Sequence, residues 1–252
     1  MRGPDNKEYL KLVSLNIEGH KRLGLVTRFL TRSASDVVLL QEVFKEDANF
    51  LANTLGMSHV FGPMSRRPLN YKEGESHEWG IAMLSKHPLR ARISRYGGDP
   101  GEVPELEIGP RGEPLVTATR TLILGRVEKN NVPYDIATTH FTWTDNGLPT
   151  DQQREDARSL LRSLMYTPEL VIAGDFNAPR GGEIYNIFIR HFIDRLPAHI
   201  KTTIDGKFHR AGFLQLVVDY LLTTPGYSAE NVYVVNGVSD HWAVMAQIHK
   251  KS

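Results

Sequence analysis

The chain has 252 residues, of which 40% are hydrophobic and 23% charged, and these fractions exclude a disordered, collagen-like or low-complexity protein. Thirty Lys and Arg residues against twenty-nine Asp and Glu residues give a net charge of +1, which is not the composition of a protein that binds polyanions through bulk charge. Because the chain has no cysteine, disulfides, thiolate metal sites and cysteine nucleophiles are also excluded.

The first third of the chain alternates predicted strands with predicted helices. Leu10–Leu15 alternates apolar and polar residues as a half-buried strand does, and Lys21–Thr31 has helical periodicity. Val37–Leu40 and Gly80–Leu84 are continuously apolar, which is typical of strands that are buried on both faces. Between them, Glu46–Leu55 predicts a second helix.

The rest of the chain predicts mainly strands. The helix Asp151–Met165 is the exception, with Thr150 as its N-cap and apolar side chains at helical spacing. The predicted strands are Thr117–Val127, Tyr134–Thr139, Leu170–Ala173, Leu216–Leu222, Asn231–Val235 and Trp242–Ile248. Many strands with few helices between them favour an α/β fold in which two sheets pack face to face and helices cover them.

The chain gives no sign of internal division or of a membrane segment. There is no repeat and no Ser/Gly-rich linker, so we expect a single domain over residues 1–252. No run approaches the roughly 18 apolar residues of a transmembrane helix, and residues 1–8 lack the apolar core of a signal peptide. We therefore expect a cytoplasmic protein with no obligate protein partner. A secreted protein whose signal peptide has been removed would show the same sequence features.

Polar side chains recur where the predicted strands end. One such ending is ordinary turn chemistry, but six endings with the same carboxylate, amide and imidazole chemistry indicate a site, because packed strand ends converge in space. The residues are Asn16, Glu18, Gln41, Glu42, His140, Asp175, Asn177, Asp219, Asp240 and His241.

This set of side chains suits a hard divalent cation and phosphoester chemistry. Carboxylates without thiolates favour Mg²⁺ or Mn²⁺, which keep several waters and bind substrate phosphate. Ser239-Asp240-His241 is not a hydrolase triad, because adjacent side chains of an extended segment point in opposite directions. The chain also has no P-loop and no dinucleotide-binding fingerprint.

In this order along the chain, the motifs resemble those of the endonuclease/exonuclease/phosphatase superfamily. They are Asn16-Ile17-Glu18-Gly19, Gln41-Glu42, Gly174-Asp175-Phe176-Asn177, Asp219-Tyr220 and Ser239-Asp240-His241, and the match extends from Leu10 to Ile248. The resemblance implies a four-layer α/β sandwich, with two mainly antiparallel sheets flanked by helices as in deoxyribonuclease I. It also implies phosphoester hydrolysis that depends on Mg²⁺ or Mn²⁺.

The resemblance also assigns a role to each side chain. Glu42 is the expected principal metal ligand, with Glu18 as a further metal-side carboxylate and Asp240 as a metal-side or water-orienting ligand. Glu18 stands where related proteins often have Asp or Asn, so it either reaches the metal or points to solvent.

The remaining residues of the set are expected to orient the attacking water, contact the phosphate or assist the leaving group. Asp175 and Asn177 orient the attacking water, while Asn16, Asn177 and His241 contact phosphate. Asp219 orients His241, and His140 stabilises or protonates the leaving group. Whether Asp175 or His241 is the general base stays open at this point.

The sequence leaves the substrate open. Residues 57–95 carry seven basic and three acidic side chains, which together with His140 favours nucleic acid. The aromatic residues Tyr71, Trp79, Phe141 and Trp143 either stack on bases or pack in the core and its rim. A phospholipid or small phosphate ester is the alternative substrate, motivated by the near-neutral charge. A catalytically silent binding module is a third possibility, which the complete set of site residues opposes.

Overall fold

The computed structural model describes residues 9–68, 75–98, 101, 103–106 and 118–251. Tyr71 and Thr117, which belong to predictions made above, lie outside these ranges. In chain order the elements are β1 (Leu10–Asn16), α1 (Leu23–Ser33), β2 (Val37–Phe44), α2 (Lys45–Leu55), β3 (Ser58–Pro68), β4 (Ser76–Ser85), β5 (Leu89–Gly97), β6 (Arg120–Lys129), β7 (Val132–His140), a 3₁₀ helix (Asp145–Gly147), α3 (Asp151–Leu164), β8 (Val171–Asp175), α4 (Glu183–Phe188), β9 (Ile193–Asp194), β10 (Asp219–Thr223), β11 (Tyr227–Val235) and β12 (Ala243–Lys250).

The strands form two six-stranded sheets, which confirms the predicted fold class. The first sheet has the order β11-β12-β1-β2-β4-β3, and the second has the order β5-β6-β7-β8-β10-β9. In each sheet one central pair is parallel, β1 with β2 and β7 with β8, and the other pairs are antiparallel. The sheets are therefore mixed, with antiparallel pairing in the majority.

Apolar side chains fill both faces of the central strands. In β1, Leu10 and Leu12 belong to the core that the two sheets share, whereas Val13 and Leu15 pack with residues of α1 and α2. Because successive side chains of a strand point to opposite faces, a strand covered on both sides reads as a continuous apolar run. On the second sheet, α3 and α4 add Leu160 and other apolar residues to the shared core.

The predicted elements agree with the structure apart from their boundaries. Thr150 caps α3 as predicted, since its side chain accepts a hydrogen bond from the backbone N–H of Gln153. The strand predicted at Leu216–Leu222 begins only at Asp219. The three residues before it pair with loops instead: the carbonyl of Leu216 accepts from Thr203, and the carbonyl of Val218 accepts from Phe176. No helix in the described ranges has the length and apolarity that crossing a bilayer requires.

The parallel pairs determine where polar strand ends meet. Asn16 of β1 is the register partner of Gln41 in β2, and His140 of β7 is the partner of Asp175 in β8. Asp219, the first residue of antiparallel β10, is also paired with Asp175. The carboxyl ends of four central strands and the start of β10 therefore lie at one end of the stacked sheets.

Candidate active site

Two local backbone features point acidic side chains into this end of the sheets. The register of β2 against β4 shifts between Leu40 and Val43, and Glu42 within this bulge has a φ of 53°. Bulges of this kind re-aim a side chain away from the normal alternation of a strand. In β8, Gly174 lies so close to β7 that a Cβ there would overlap the carbonyl oxygen of Thr139, so only glycine permits the pairing that positions Asp175.

Asp175 lies at the centre of the cluster. Its Oδ2 accepts a hydrogen bond from Asn16 Nδ2 at 3.1 Å and lies 3.4 Å from His140 Nε2 and 3.8 Å from His241 Nε2. Its Oδ1 accepts from the backbone N–H of Asn177 at 2.9 Å. Burial would raise the pKa of Asp175, but His241 and His140 outweigh it and hold the pKa well below the usual range.

Asn16 joins Asp175 to Glu42. The same Nδ2 donates to Glu42 Oε1 at 3.2 Å, and Asn16 Oδ1 accepts from the backbone N–H of Glu18 at 3.1 Å. The Glu42 side chain stays 25% exposed, whereas that of Asp175 is 1% exposed. Burial opposes the ionisation of Glu42, but the charges of His140 and Arg67 and the Asn16 hydrogen bond keep its pKa below the usual value. Glu42 is therefore an ionised carboxylate that solvent can reach.

His241 lies within hydrogen-bond distance of Asp219, the arrangement that the family resemblance implies for this pair. His241 Nδ1 lies 2.9 Å from Asp219 Oδ2, and both side chains are buried. Burial would lower the pKa of His241, but Asp219 and Asp175 raise it well above the usual value. Asp175, Asp219 and His241 also present three possible ligand atoms within 4.8 Å of one another. Because Asp219 already pairs with Nδ1 of His241, these three residues have fewer atoms free to bind a metal ion than their spacing suggests.

Burial and neighbouring carboxylates disfavour the ionised form of Asp240. Its Oδ1 accepts from Ser239 Oγ at 3.1 Å. Burial, together with the Glu42 and Glu18 carboxylates, raises the pKa of Asp240 to about 6, and His241 only partly offsets them. A divalent cation placed among these oxygens would remove that repulsion, and every donor present is a hard oxygen or an imidazole nitrogen. The residues therefore fit Mg²⁺ or Mn²⁺.

Glu18 is close to the cluster but is already paired. Its Oε1 lies 2.5 Å from Lys21 Nζ, and its Oε2 pairs with an Arg22 guanidinium nitrogen. Both cations lie between Glu18 and the first residue of α1, so the ion pairs are local. To bind a cation through both oxygens, Glu18 would first have to release these partners.

His140 ends β7 and Asn177 follows β8, so both lie at the site end of the second sheet. His140 Nε2 is 3.8 Å from Glu42 Oε1, and no described residue hydrogen-bonds its buried Nδ1. The Asn177 amide donates to the carbonyl of Phe141 at 3.0 Å, which orients the side chain, and the residue has a φ of 48°. The structure thus brings all nine residues to which the resemblance assigns a role to one end of the sheets, with Glu18 ion-paired at the edge.

The sequence analysis missed two arginines beside the cluster. Arg67 stacks on Trp79 at 3.6 Å, and the Trp79 ring packs edgewise on His140 at 5.6 Å. Arg120 is 7% exposed, its charge acts on both Asp175 and Glu42, and its buried Nε has no hydrogen-bond partner in the described chain. A charged residue at the start of an apolar strand was the available signal for Arg120.

The aromatic residues considered for base stacking are mostly core residues. Phe141 is completely buried and Trp79 is 5% exposed, so neither presents an open face to a base. Trp143 is 39% exposed, and Tyr71 lies outside the described residues.

Comparison with known proteins agrees with this geometry. The sequence model of the Endonuclease/Exonuclease/phosphatase family matches residues 13–241. No curated protein sequence matches the chain significantly.

Solved structures share the fold at low sequence identity. An endonuclease/exonuclease/phosphatase from Bacteroides vulgatus aligns at 16% identity and a TM-score of 0.72, over 97% of this chain and 100% of that one. The human Nocturnin catalytic domain with a bound sulfate anion aligns at 16% and 0.68, covering 96% and 95%. A mannosyl-6-phosphatase from Bacteroides thetaiotaomicron aligns at 13% and 0.68, covering 95% and 99%. At these identities the likeness shows the fold alone.

Proposed function

Because the chain belongs to the endonuclease/exonuclease/phosphatase family, whose members are hydrolases that act on phosphoesters, we propose that it uses a divalent cation and an activated water to cleave a phosphodiester. The observation that carries this proposal is the position of Asp175. Its carboxylate lies within 4 Å of the Asn16 amide and of the His140 and His241 imidazoles, at the end of the sheets where Glu42 is exposed to solvent.

Glu42 would hold the cation, because it is the solvent-accessible ionised carboxylate of the cluster. Asp240 lies close enough for the two charges to interact, and Glu18 would join them only by releasing Lys21 and Arg22. When bound, Mg²⁺ or Mn²⁺ neutralises charge on phosphate oxygens.

Asp175 and His241 have different proposed roles: Asp175 accepts a proton, and His241 contacts the phosphate. Asp175 is ionised, with Asn16 and the Asn177 backbone fixing its carboxylate, and it is the proposed acceptor for the proton of the attacking water. Since Asp219 holds Nδ1 of His241, the ring presents Nε2 to a phosphate oxygen as a donor. The Asn177 amide is the proposed second contact to the same phosphate.

His140 is the proposed partner of the leaving oxygen. Its Nε2 lies between the Glu42 and Asp175 carboxylates, and its ring packs against Trp79, on which Arg67 stacks in turn. These contacts orient the ring, and its proposed role is to donate a hydrogen bond to the departing alkoxide.

Nucleic acid is the proposed substrate. The two segments that flank the cluster carry four cations, Lys21, Arg22, Lys207 and Arg210, against the two acids Glu18 and Asp205, so the site has a local basic rim although the whole chain is almost neutral. A small phosphate ester is the second candidate. It is favoured by that neutrality and by the fold shared with a mannosyl-6-phosphatase.

A substrate panel with Mg²⁺, Mn²⁺ or EDTA tests the proposal. Single-stranded, nicked and abasic DNA, RNA, bis-p-nitrophenyl phosphate and p-nitrophenyl phosphate should be compared for the wild type and Glu42→Gln. We expect metal-dependent cleavage of at least one diester that EDTA abolishes and that Glu42→Gln lowers by about 100-fold or more. Equal rates for the two proteins, or unchanged rates in EDTA, would refute the proposal.

A further inference from the structure

A loop that the sequence motifs do not include packs against the active site. Residues 205–213, called here the 205–213 loop, follow a short bridge between Ile204 and His241. The backbone N–H of Asp205 donates to the carbonyl of Asp240 at 2.8 Å, and Asp205 Oδ2 accepts from the N–H of Gly237 at 2.7 Å. The start of the loop is therefore attached to the segment that carries Asp240 and His241.

The same loop is held from the opposite side by the start of α1. Arg22 donates to the carbonyl of Phe208 at 3.3 Å, and its guanidinium stacks on the Phe208 ring at 4.5 Å. Arg22 is also a partner of Glu18. Because both attachments are to the site, the loop has a fixed position relative to it.

His209 is the titratable residue that this loop brings to the cluster. Its ring centre lies 6.4 Å from that of His241 in an edge-to-face arrangement. Hydrogen bonds of about 2.9 Å from two rings at this separation can converge on a single phosphate group. The Glu18 and Glu42 carboxylates also act on His209, which places it on the same side of the molecule as the proposed cation site.

Hydrogen bonding determines the tautomer of His209. Its Nδ1 accepts a hydrogen bond from the backbone N–H of Ala211 at 3.2 Å, so Nδ1 carries no proton. In a neutral imidazole the proton is then on Nε2, which makes Nε2 a donor. Nothing in the described chain accepts a hydrogen bond from it. Burial, and then the nearby His241 and Arg210, lower the pKa of His209, in agreement with a neutral ring.

We propose that His209 donates its Nε2–H to a non-bridging oxygen of the substrate phosphate, beside the contact made by His241. The role rests on the proposed phosphodiesterase function and refines it, because it adds a neutral donor that transfers no proton. His209 thus positions the phosphate, and its loss affects binding before it affects the chemical step.

Two variants and a matched control test this role. His209→Gln keeps an N–H donor on a side chain of similar reach, whereas His209→Leu removes it. His59→Gln and His59→Leu are the controls, because His59 pairs with Leu84 at the far end of β3 and β4 from Glu42. Thermal unfolding should show that all four variants fold.

The first readout is the dissociation constant for inorganic phosphate with Mg²⁺ present, measured by calorimetry. The second is the KM and kcat for bis-p-nitrophenyl phosphate. We expect His209→Leu to weaken phosphate binding and to raise KM by about 3- to 10-fold, while His209→Gln stays within about 2-fold of the wild type. Unchanged binding in His209→Leu, or equal losses in both His209 variants, would overturn the inference.

The design separates this inference from the proposed function. If the wild type cleaved no phosphoester, the proposed function would fail while phosphate binding still reported on His209. If the wild type cleaved diesters and His209→Leu bound phosphate normally, only the inference would fail. Should His209→Leu not fold, the ¹⁵N resonance of Nε2 in the wild type decides: phosphate must shift the His209 signal and leave that of His59 unchanged.

Discussion

At the scale of single residues, the Asp219–His241 pair determines which atoms of the site are free to bind a ligand. Asp219 Oδ2 faces His241 Nδ1 at 2.9 Å, and both groups are buried. A carboxylate in this position fixes the orientation of the ring and stabilises its charged form. Nε2 is therefore the only ring nitrogen that a phosphate can contact.

Asp219→Asn should remove the charge of this pair while keeping its shape. We expect kcat for bis-p-nitrophenyl phosphate at pH 7 to fall by about 100-fold or more, since an amide no longer stabilises the imidazolium. Asp135→Asn, on the far end of β7, is the matched control and should retain full activity. A steady-state rate for Asp219→Asn within 3-fold of the control would contradict the assigned role.

The site residues that end apolar runs could be identified from the sequence. The side chains that contact them could be identified only from the structure. Asn16, Glu42, Asp175 and His241 stand beside recognisable strands, so their convergence could be predicted. Arg120 and His209 belong to no such pattern, because their proximity to the cluster depends on sheet register and on the path of the 205–213 loop. The ion pairs of Glu18 with Lys21 and Arg22 likewise depend on the backbone conformation after β1.

At the scale of secondary-structure elements, Asp36 ties the two sheets together at the end opposite the site. It precedes β2, and its Oδ2 accepts from the backbone N–H of Lys11 and from Lys129 Nζ, both at 2.8 Å, while Oδ1 lies 3.0 Å from His87 Nε2. Burial would raise the pKa of Asp36, but Lys129, the Lys11 amide and His87 together lower it.

Asp36→Asn should therefore lower stability in a pH-dependent way. Because folding lowers the pKa of Asp36, its ionised form stabilises the protein above about pH 4 and loses that effect as the pH falls through the folded-state pKa. We expect the variant to lose about 1–3 kcal/mol of unfolding free energy at pH 7.

Urea unfolding of the wild type and Asp36→Asn between pH 7 and pH 3 measures this loss. The difference between the two proteins should shrink toward pH 3. Asp145→Asn, at an exposed position, is the control and should show little difference at any pH. A gap that stayed constant or widened in acid would exclude this role for the Asp36 carboxylate.

The strands that the sequence analysis missed lie at the edges of the sheets. β3 contains Pro63 and Pro68, which edge strands tolerate because their outer N–H groups need no partner. β5 is largely exposed and has no apolar alternation, and β9 has only two residues. Central strands carry a strong apolar signal because both of their faces are buried, and edge strands lack it.

At the scale of the whole molecule, the charge is nearly balanced while the site has a basic border. A chain of net charge +1 attracts no polyanion over long distances. Affinity for nucleic acid must then come from a few cations near the site, such as Lys207 and Arg210, together with the phosphate contacts of the cluster.

This balance leads to an expectation for the salt dependence of nucleic-acid binding. With two to four phosphate contacts, single-stranded DNA should bind Glu42→Gln about 5- to 50-fold more weakly in 200 mM than in 50 mM salt. Fluorescence anisotropy measures this change, and the KM of bis-p-nitrophenyl phosphate in the wild type serves as the comparison. DNA binding without salt dependence, together with rapid hydrolysis of the small diester, would favour the small-ester alternative.

The central claim is that Glu42 holds a divalent cation beside the cluster that Asp175 and His241 form. Anomalous diffraction from a crystal soaked in Mn²⁺ tests it most directly, with a Glu42→Gln crystal as the control. We expect a manganese peak about 2.0–2.3 Å from a Glu42 carboxylate oxygen, and its loss in the variant. A wild-type crystal with manganese bound elsewhere and none beside Glu42 would contradict the account.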